Sequence, residues 1–427
     1  MGSEIRTALP EVKVGLLVIG AGPAGLAAAV AAYDRGVRDI LICERQDFAG
    51  GILPQCIHNG FGLKRFGEEL TGPEYAGRYE KMAEERGIRI EYGATVTKLS
   101  NDRRVTVLSE SGMKVYAADA VILAMGCRER PRGALPVVGT RPAGIYTAGC
   151  AQKMVNRMGL LPGREIVILG SGDIGLIMAR RMTLEGAHVK AVCEVMDHPG
   201  GLRRNIVQCL DDFGIPLYLS TTVVEVEGED RVTAVTVAEV DERRRPIPGT
   251  ERRIECDTLL LSVGLIPENE LTRQAGIEID PVTNGAAVRE NRETSIPGVF
   301  ACGNVLHVHD LVDFVSEEGE IAGNAAADYL AKQEKIETAP VARVTAKNGV
   351  RYTVPELIGE GETKNVTVFF RVSDSFRDAT LVAENENGVI LSKKVRRMVP
   401  GEMQRVDLPR EKLVGEVTLS VAPQGNS

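Results

Sequence analysis

Two glycine-rich segments of this sequence have the composition of phosphate-binding loops. The segments Gly20-x-Gly22-x-x-Gly25 and Gly170-x-Gly172-x-x-Gly175 each follow a short apolar run and open a second apolar stretch. The first glycine of such a loop makes a tight turn, the second lets the backbone approach a pyrophosphate, and the third lets a helix pack closely on a strand. The phosphates bind at the helix N-terminus, where unpaired N–H groups and the helix dipole favour anions. The two segments therefore predict two dinucleotide sites.

An acidic residue stands at the same position after each loop. Glu44 lies 24 residues beyond Gly20, and Glu194 lies 24 residues beyond Gly170. A carboxylate there accepts the ribose hydroxyls of the dinucleotide and repels the 2′-phosphate of NADP, so we expect the second site to prefer NAD(H). The candidate cofactor-binding residues are Gly20, Gly22, Pro23, Ala24, Gly25, Glu44, Arg45 and Gly51 at the first site and Gly170, Gly172, Asp173, Ile174, Gly175 and Glu194 at the second.

The elements that must position these residues follow a strand–helix–strand order twice, which predicts an α/β fold with a parallel, doubly wound sheet in each unit. The predicted strands are 14–19, 39–43, 120–124, 166–169, 188–193 and 259–264. Three helices are predicted: one that ends at Tyr33, one that ends near Gly186, and one over residues 312–330. A composition shift near residue 336 precedes further strand candidates. Strands at 379–384, 389–395 and 417–421, with the turn dipeptide Asn387-Gly388, predict a small antiparallel β domain over residues 341–427.

The composition excludes several classes of function. With 427 residues, 44% of them hydrophobic and 26% charged, the chain is expected to be a soluble protein of two or three domains. Its net charge of −8 and its lack of tryptophan argue against binding to nucleic acid or to anionic membranes. The opening residues MGSEIRTALPEVK lack the pattern of a signal peptide. The uncharged run from Val14 to Tyr33 is long enough to span a bilayer, but its glycines fit a buried strand–helix unit, so we expect no membrane segment.

Eight scattered cysteines, none of them in a C-x-x-C pair, indicate neither an iron–sulfur cluster nor a zinc site. Single cysteines in a chain of this size are typical of reduced thiols, and we expect a cytoplasmic protein.

Taken together, residues 14–335 resemble the two-dinucleotide-binding flavoproteins, the pyridine nucleotide–disulfide oxidoreductase superfamily. Three further motifs carry the resemblance: VILAMG at 121–126, LLSVG at 260–264 and GVFACGN at 298–304. It implies a Rossmann-like FAD domain, residues 14–158 and 281–335, that is interrupted by a Rossmann-like NAD domain, residues 159–280. It also adds Ala124, Gly126, Gly303, Asn304 and Gly319 to the FAD site and Gly264 to the NAD site. Asn304 departs from the family, which has an aspartate there that binds a ribityl hydroxyl; Asn304 can still bond to that hydroxyl but carries no charge.

Longer segments resemble one subgroup of this superfamily. The stretches GGILPQCIHNGFG, GCRERPRGALPVVGTRPAGIYTAG and FACGNVLHVHDLVDFVSEEG look like the FAD/NAD subunits of sarcosine oxidase, opine oxidase and hydrogen cyanide synthase. They also resemble the flavoprotein that accompanies anaerobic glycerol-3-phosphate dehydrogenase-like subunits. The resemblance implies an oligomer in which a second flavoprotein dehydrogenase subunit, a small iron–sulfur protein, or both serve as electron partner.

Cys56 is the one cysteine in the segment where the family's disulfide reductases carry a redox pair, so disulfide-reductase chemistry is not expected. Two interpretations stay open. Cys56 either cycles through a sulfenic acid, as in NADH oxidases and peroxidases of the superfamily, or packs beside the flavin as a small apolar residue, which we favour. His58 is either a proton relay near flavin N5 or O4 or an ordinary loop histidine.

His307 and His309 follow the late FAD motif, and no third or fourth metal ligand is evident near them in sequence. We therefore expect no metal and assign them a proton-handling role. By resemblance, Ser316–Gly319 begins a helix whose N-terminus points at flavin N1 and O2, with Glu317 and Glu318 turned away from the ring. Arg128, Arg130 and Arg132 either contact FAD phosphates or the crossover between the domains, or form a solvated basic loop.

The sequence thus predicts an FAD-dependent oxidoreductase that moves hydride between NAD(H) and the flavin, within a glycerol-3-phosphate- or amine/hydroxyacid-dehydrogenase-like complex. Two alternatives remain: a stand-alone NADH oxidase or peroxidase that uses Cys56, and a non-enzymatic binding protein that responds to FAD and NAD.

Overall fold

The computed structural model describes residues 9–332, 340–361 and 363–423. It divides into two compact units: the first combines the residues up to 127 with those from 267 onward, and the second holds residues 128–266. These boundaries differ from the predicted ones at 158/159 and 280/281, and the assignment of cofactors to domains stays a prediction. The composition shift near 336, the boundary at 335 and the last residues of the β domain lie outside the described residues. No helix in the described part of the chain is long and apolar enough to cross a membrane.

The helices and strands are given in chain order. Before the second unit they are β1 Glu11–Ile19, α1 Pro23–Asp34, β2 Ile40–Cys43, β3 Asn59–Phe61, β4 Leu70–Thr71, α2 Gly72–Glu85, β5 Arg89–Glu91, β6 Thr95–Leu99, β7 Arg104–Ser109 and β8 Gly112–Leu123. From Cys127 to Pro267 they are β9 Cys127–Glu129, β10 Val138–Gly139, β11 Ile145–Thr147, α3 Ala148–Met158, β12 Glu165–Leu169, α4 Asp173–Leu184, β13 His188–Cys193, α5 Arg203–Cys209, β14 Leu217–Tyr218, β15 Thr221–Glu227, β16 Ala234–Glu239, β17 Arg252–Glu255, β18 Thr258–Leu261 and β19 Leu265–Pro267.

The first unit then resumes. Its remaining elements are α6 Glu270–Gln274, β20 Val299–Ala301, α7 Val312–Ala331, β21 Ala342–Ala346, β22 Val350–Val354, β23 Leu357–Ile358, β24 Asn365–Val372, β25 Phe376–Asn385, β26 Gly388–Met398, β27 Gln404–Pro409 and β28 Gly415–Pro423.

The main sheet of the first unit has the order β5-β2-β1-β8-β7-β6, with β20 also paired to β8. Strands β5, β2, β1, β8 and β20 run parallel, as predicted. Strands β6, β7 and β8 instead form an antiparallel meander, so the expectation of a wholly parallel sheet is wrong for this unit. The reason is that short links join these three strands, and short links allow only antiparallel pairing.

Helix α7 packs directly on α1 because both helices carry small residues where they meet. A Cβ at Gly319 would lie 2.3 Å from the Ala24 carbonyl oxygen, and one at Gly323 would lie 2.1 Å from the Ala28 carbonyl oxygen. Only glycine permits this approach. A residue late in the chain is thereby brought beside the first glycine-rich loop.

The second unit has a wholly parallel sheet of order β11-β18-β12-β13-β14, as predicted. Helices α3 and α4 cover one face, where their apolar side chains join a core with Ile166, Ile168 and Leu260. The other face packs against a second sheet, β10-β15-β16-β17, through residues such as Val167, Val235 and Leu259, so the predicted doubly wound arrangement with helices on both faces is wrong for this unit. The carboxyl ends of β12, β13 and β18 are therefore held at one edge of a rigid layer.

The C-terminal β domain consists of the sheets β23-β21-β28-β25-β26 and β22-β24-β27 around their own core. The predicted hairpin is present between β25 and β26, with Asn385 paired to Gly388, so the turn residues are Glu386 and Asn387. The pairs are antiparallel except β21 with β28, which is parallel and corrects the purely antiparallel expectation.

Candidate functional site: two glycine-rich loops and a buried carboxylate

The first glycine-rich loop lies at the carboxyl end of the parallel strands β1 and β2. Gly20 has a φ of +105°, and its N–H donates to the Cys43 carbonyl oxygen at 2.9 Å. Helix α1 begins directly after Gly22. The Glu44 carboxylate accepts the Ala21 N–H through Oε2 and the Gln46 N–H through Oε1, both at 2.8 Å. One buried carboxylate therefore holds the loop and the end of the next strand together.

The second loop repeats this geometry. Gly170 has a φ of +100° and donates to the Cys193 carbonyl oxygen at 2.7 Å. The Glu194 carboxylate accepts the Ser171 N–H at 2.9 Å and the Met196 N–H at 3.0 Å. The Ser171 hydroxyl donates to Glu194 Oε2 as well, at 2.6 Å. The structure thus brings each predicted acid to its predicted loop by the same contacts, and Ser171 makes the second loop the more tightly bonded one.

The repeat extends further than the two glycine motifs alone predict. Counting 150 residues from Gly50 and Gly51 leads to Gly200 and Gly201, just as it leads from Gly20 to Gly170. In the first unit the Gly50 N–H donates to the Ala21 carbonyl oxygen at 2.8 Å. In the second unit the Gly200 N–H donates to the Ser171 hydroxyl, also at 2.8 Å. The constant spacing was the signal that could have identified both glycine pairs as parts of the two loops.

The segment that carries Gly200 and Gly201 lies over the second loop. Asp173 Oδ1 accepts the Leu202 N–H at 2.8 Å and the Asn205 side-chain amide at 2.7 Å. A Cβ at Gly201 would meet Leu176, Asp173 and the Ser171 carbonyl oxygen at 2.6–3.0 Å, so this residue must be glycine for the segment to lie so close. Asp173, predicted to touch the cofactor, thus holds the covering segment by its carboxylate, while Ile174 lies half-buried on α4.

Residues that follow the neighbouring parallel strand, β8 in the first unit and β18 in the second, pack against each loop. In the first unit a Cβ at Gly20 would lie 2.5 Å from the Ala124 carbonyl oxygen, and Gly126 follows with a φ of +71°. In the second unit the hydroxyl oxygen of Ser262, which sequence reasoning did not select, accepts the Gly175 N–H at 3.1 Å. Gly264 follows with a φ of +97°. Ligand sites in such sheets lie at these carboxyl ends.

The GVFACGN motif at 298–304 packs against α1 beside the first loop. A Cβ at Gly303 would lie 2.7 Å from the Ala24 Cβ, and the Cys302 N–H donates to the Leu123 carbonyl oxygen at 3.0 Å. Asn304 Oδ1 accepts the His309 backbone N–H at 3.0 Å, and its amide nitrogen lies 3.6 Å from Cys127 Sγ. The structure therefore brings the Gly303–Asn304 segment against Ala24, whereas Arg45 is exposed, and the role of these residues in FAD binding stays a prediction.

Cys56 and His58 lie on the segment after Gly51. Burial raises the pKa of the Cys56 thiol to about 12, and its Sγ lies 3.5 Å from the Ile52 carbonyl oxygen. A thiol with this pKa is protonated at neutral pH and is a poor nucleophile. The His58 Nδ1 lies 3.0 Å from the Asn59 carbonyl oxygen, and its ring packs against Phe61 with centroids 5.0 Å apart.

His307 and His309 lie in a loop that follows the short 3₁₀ turn Gly303–Val305, not on a strand. Both imidazoles are buried and meet at the Glu318 carboxylate, with Nε2–O distances of 3.2 Å for His307 and 3.0 Å for His309. The three side chains have the donor types of a metal site. The structure thus supplies a third candidate ligand that was not evident near the two histidines in sequence: Glu318 comes from the helix, and sequence spacing gave no sign of it.

The helix that carries Glu318 spans Val312–Ala331, close to the predicted 312–330, so Ser316–Gly319 do not form its N-terminus as the resemblance implied. Glu317 and Glu318 therefore stand in its second turn. Glu317 is partly exposed beside Arg405, at 3.4 Å. Of the three arginines predicted to contact phosphates or solvent, Arg132 donates to the carbonyl oxygens of Val138 and Gly139 at 3.2 and 3.4 Å.

With this geometry in place, comparison with known proteins assigns the chain to a class. Residues 15–346 match the family described as pyridine nucleotide-disulphide oxidoreductase, and the protein belongs to that family. It is therefore an oxidoreductase of a family whose members typically bind FAD and NAD(P).

Individual relatives are more distant. The chain is 26% identical over 315 residues to hydrogen cyanide synthase subunit HcnB of Pseudomonas protegens. The matched region covers 68% of this chain and 65% of the relative. It is 26% identical over 340 residues to an opine oxidase subunit of Agrobacterium tumefaciens, covering 73% of this chain and 64% of the relative. The chain thus spans just under two thirds of the length of these relatives.

Among solved structures, thioredoxin reductase of T. acidophilum superposes with a TM-score of 0.61 at 22% identity, covering 74% of this chain and 98% of that one. This likeness supports the mixed α/β fold.

Proposed function

We propose that the protein transfers hydride between NAD(H), bound at the second glycine-rich loop, and FAD, bound at the first. The observation that carries the proposal is the pair of carboxylates, Glu44 and Glu194, which make the same two backbone contacts in two separate loops. In the finer domain assignment, the FAD domain comprises residues 14–158 and 281–335 and is interrupted by an NAD domain at 159–280.

The residues of the first loop fit an FAD. The N–H groups that open α1 point at the carboxyl edge of the sheet and suit a pyrophosphate, with no acidic side chain in the first turn of that helix. Glu44 would bind the ribose, and Gly303 and Asn304, which lie beside the first turn of α1, would hold another part of the dinucleotide. Bound FAD would supply the two-electron redox chemistry at this site.

The residues of the second loop fit NAD(H). Glu194 Oε1 accepts one backbone N–H and keeps room for a ribose hydroxyl. The negative charge of this carboxylate disfavours the 2′-phosphate of NADP. Substrate selection between the two nicotinamide dinucleotides therefore depends on Glu194.

We further propose that the electron acceptor or donor beyond the flavin is another subunit. The support is that two relatives are described as subunits, of hydrogen cyanide synthase and of opine oxidase. A second flavoprotein dehydrogenase subunit or a small iron–sulfur protein fits this role, and a glycerol-3-phosphate-, amine- or hydroxyacid-oxidising complex fits the resemblance. The stand-alone oxidase or peroxidase alternative is weakened by the raised pKa of Cys56.

The decisive experiment is rapid mixing of the FAD-loaded protein with NADH in the absence of oxygen. We expect the absorbance of oxidised flavin to disappear faster than about 1 s⁻¹, the lower end of ordinary enzyme turnover. NADPH at the same concentration serves as the matched control and should reduce the flavin far more slowly. Reduction over many minutes with both nucleotides would favour the non-enzymatic binding protein instead.

A further inference from the structure

Glu318 is a completely buried carboxylate that four hydrogen-bond donors surround. Oε1 accepts from Arg292 Nε at 2.8 Å and from the His307 ring at 3.2 Å. Oε2 accepts from the Gly303 N–H at 2.8 Å and from the His309 ring at 3.0 Å. A buried anion is tolerated only when such donors replace its water shell. Both imidazoles must therefore carry their ring proton on Nε2.

The charges of this group favour hydrogen bonds over a metal ion. Burial opposes ionisation of Glu318, but its pKa is held well below the usual value by the neighbouring His307, Arg292 and His309. Burial lowers the pKa of His307 to about 4, which leaves that imidazole neutral at pH 7. Because Arg292 already balances the carboxylate, a divalent cation at the same oxygens would add uncompensated positive charge in a dry interior.

One of the four donors belongs to the candidate flavin loop itself. The Gly303 N–H that Glu318 accepts adjoins Asn304, whose Oδ1 accepts the backbone N–H of His309. Glu318 therefore holds both ends of the 303–309 loop. A Cβ at Gly303 would lie 2.7 Å from the Ala24 Cβ, so the segment that Glu318 holds packs closely against the first turn of α1.

The two imidazoles join this loop to the C-terminal β domain. The Phe369 ring lies edge-on to both, with centroids 5.8 Å from His307 and 5.7 Å from His309. Arg371, two residues further along β24, donates to the Val308 carbonyl oxygen at 3.1 Å and pairs with Asp310. Phe370 between them faces the opposite way, into the core of the β domain. Two alternate residues of β24, Phe369 and Arg371, therefore bind the histidine loop to the β domain.

We propose that Glu318 is the positioning residue of the FAD site: it ties the β-domain face at Phe369, through His307 and His309, to the Gly303–Asn304 segment. The inference rests on the proposed function, because it concerns the same flavin site. It makes the β domain a structural support of flavin binding, so a change at the buried Phe369 on β24 should alter the affinity for FAD.

The test measures the dissociation constant of FAD for the flavin-free full-length chain by fluorescence quenching, together with the thermal midpoint. Phe369→Leu should raise that constant at least fivefold. Phe370→Leu is the matched control, since it is the next residue, is equally buried and removes the same atoms; it should change the constant less than twofold at a similar loss of thermal stability. Glu318→Gln should raise the constant about tenfold or more, and Glu317→Gln on the same helix should not.

Combining the variants tests whether Glu318 mediates the effect. In the Glu318→Gln background, Phe369→Leu should add less than a twofold change. Fully additive effects, or equal effects of Phe369→Leu and Phe370→Leu, would overturn the inference. If Glu318→Gln does not fold, the comparison of the two phenylalanine variants decides. A stoichiometric transition metal in the purified protein that Glu318→Gln removes would also overturn it. Failure of the parent chain to bind FAD would instead defeat the proposed function.

Discussion

Ser171 donates both its backbone N–H and its hydroxyl to one oxygen of Glu194, at 2.9 and 2.6 Å. The same hydroxyl accepts the N–H of Gly200 at 2.8 Å. A single serine thus links the glycine-rich loop, the acid at the end of β13 and the glycine pair that covers the loop. The first unit has Ala21 at this place, so its loop keeps the N–H bond to Glu44 and the carbonyl contact to Gly50 but has no side-chain hydroxyl to link the three parts.

The paired carboxylates allow a matched test of which loop serves which nucleotide. Glu194→Gln replaces an oxygen acceptor by a donor and should raise the KM for NADH about tenfold or more, with the FAD content unchanged. Glu44→Gln should lower FAD content and leave the NADH affinity of the remaining flavoprotein unaltered. Flavin absorbance and steady-state kinetics measure both. Loss of FAD from the Glu194 variant would contradict the assignment.

The covering glycine pair gives a second test within the second unit. Gly201→Ala places a Cβ within 3.0 Å of the Ser171 carbonyl oxygen and must lift the segment from the loop, whereas Gly200→Ala meets its nearest atoms at 3.7–3.9 Å. We expect the alanine at 201 to change the dissociation constant of NADH severalfold and the alanine at 200 to leave it nearly unchanged. Equal behaviour of the two variants in a titration with NADH would show that the segment plays no part in binding.

The thiol of Cys56 offers a test of the peroxidase alternative. Because burial raises its pKa to about 12, Cys56→Ser should keep the rate of NADH-dependent dye reduction within about twofold. A reagent specific for sulfenic acids should label neither residue 56 nor the exposed Cys150 after treatment with peroxide. Collapse of peroxide-dependent NADH consumption in the serine variant alone would revive the cysteine mechanism.

The buried His307 predicts a stability that depends on pH. Its pKa is lowered to about 4, chiefly by burial, whereas an unfolded chain binds the proton near pH 6.5. Between these values the unfolded state holds the extra proton, so the free energy of unfolding should fall as the pH is lowered from 6.5 to 4, by up to about 3 kcal/mol. The lowered pKa of Glu318 has the same effect at pH values below the usual pKa of a glutamate, where the unfolded chain binds the proton first and the free energy of unfolding falls further.

Urea unfolding at intervals from pH 7 to pH 4 measures this effect. His307→Gln keeps a side-chain N–H donor but cannot titrate, so its stability should vary less with pH than that of the parent. If the unfolding free energies of the parent and the His307 variant change equally with pH, His307 binds its proton equally well in the folded and unfolded chain, and the prediction is wrong.

The sequence was informative wherever function depends on local spacing. The distance from Gly20 to Glu44, repeated from Gly170 to Glu194, predicts both loops because strand, turn and helix follow one another directly along the chain. Glu318 could not be found in this way. Its donors Arg292, Gly303 and His309 come together only because β20 returns to the main sheet and α7 crosses α1, and neither event has a local signature. The antiparallel β6–β8 meander was missed for a similar reason, since the sequences of its strands do not show whether they pair parallel or antiparallel.

The pairing of β20 with β8 also has a consequence for the order in which the protein is made. Strand β8 ends at Leu123, but its partner Val299–Ala301 and the helix α7 leave the ribosome only after the whole second unit has been synthesised. Residues 128–266 can then fold as a complete unit while the first sheet still lacks an outer strand and its covering helix. We therefore expect the nascent chain to acquire a competent second loop before the first. A chain stalled once residue 266 has cleared the exit tunnel, with β20 still inside it, should bind the diffusible nucleotide before the pocket for its resident partner exists.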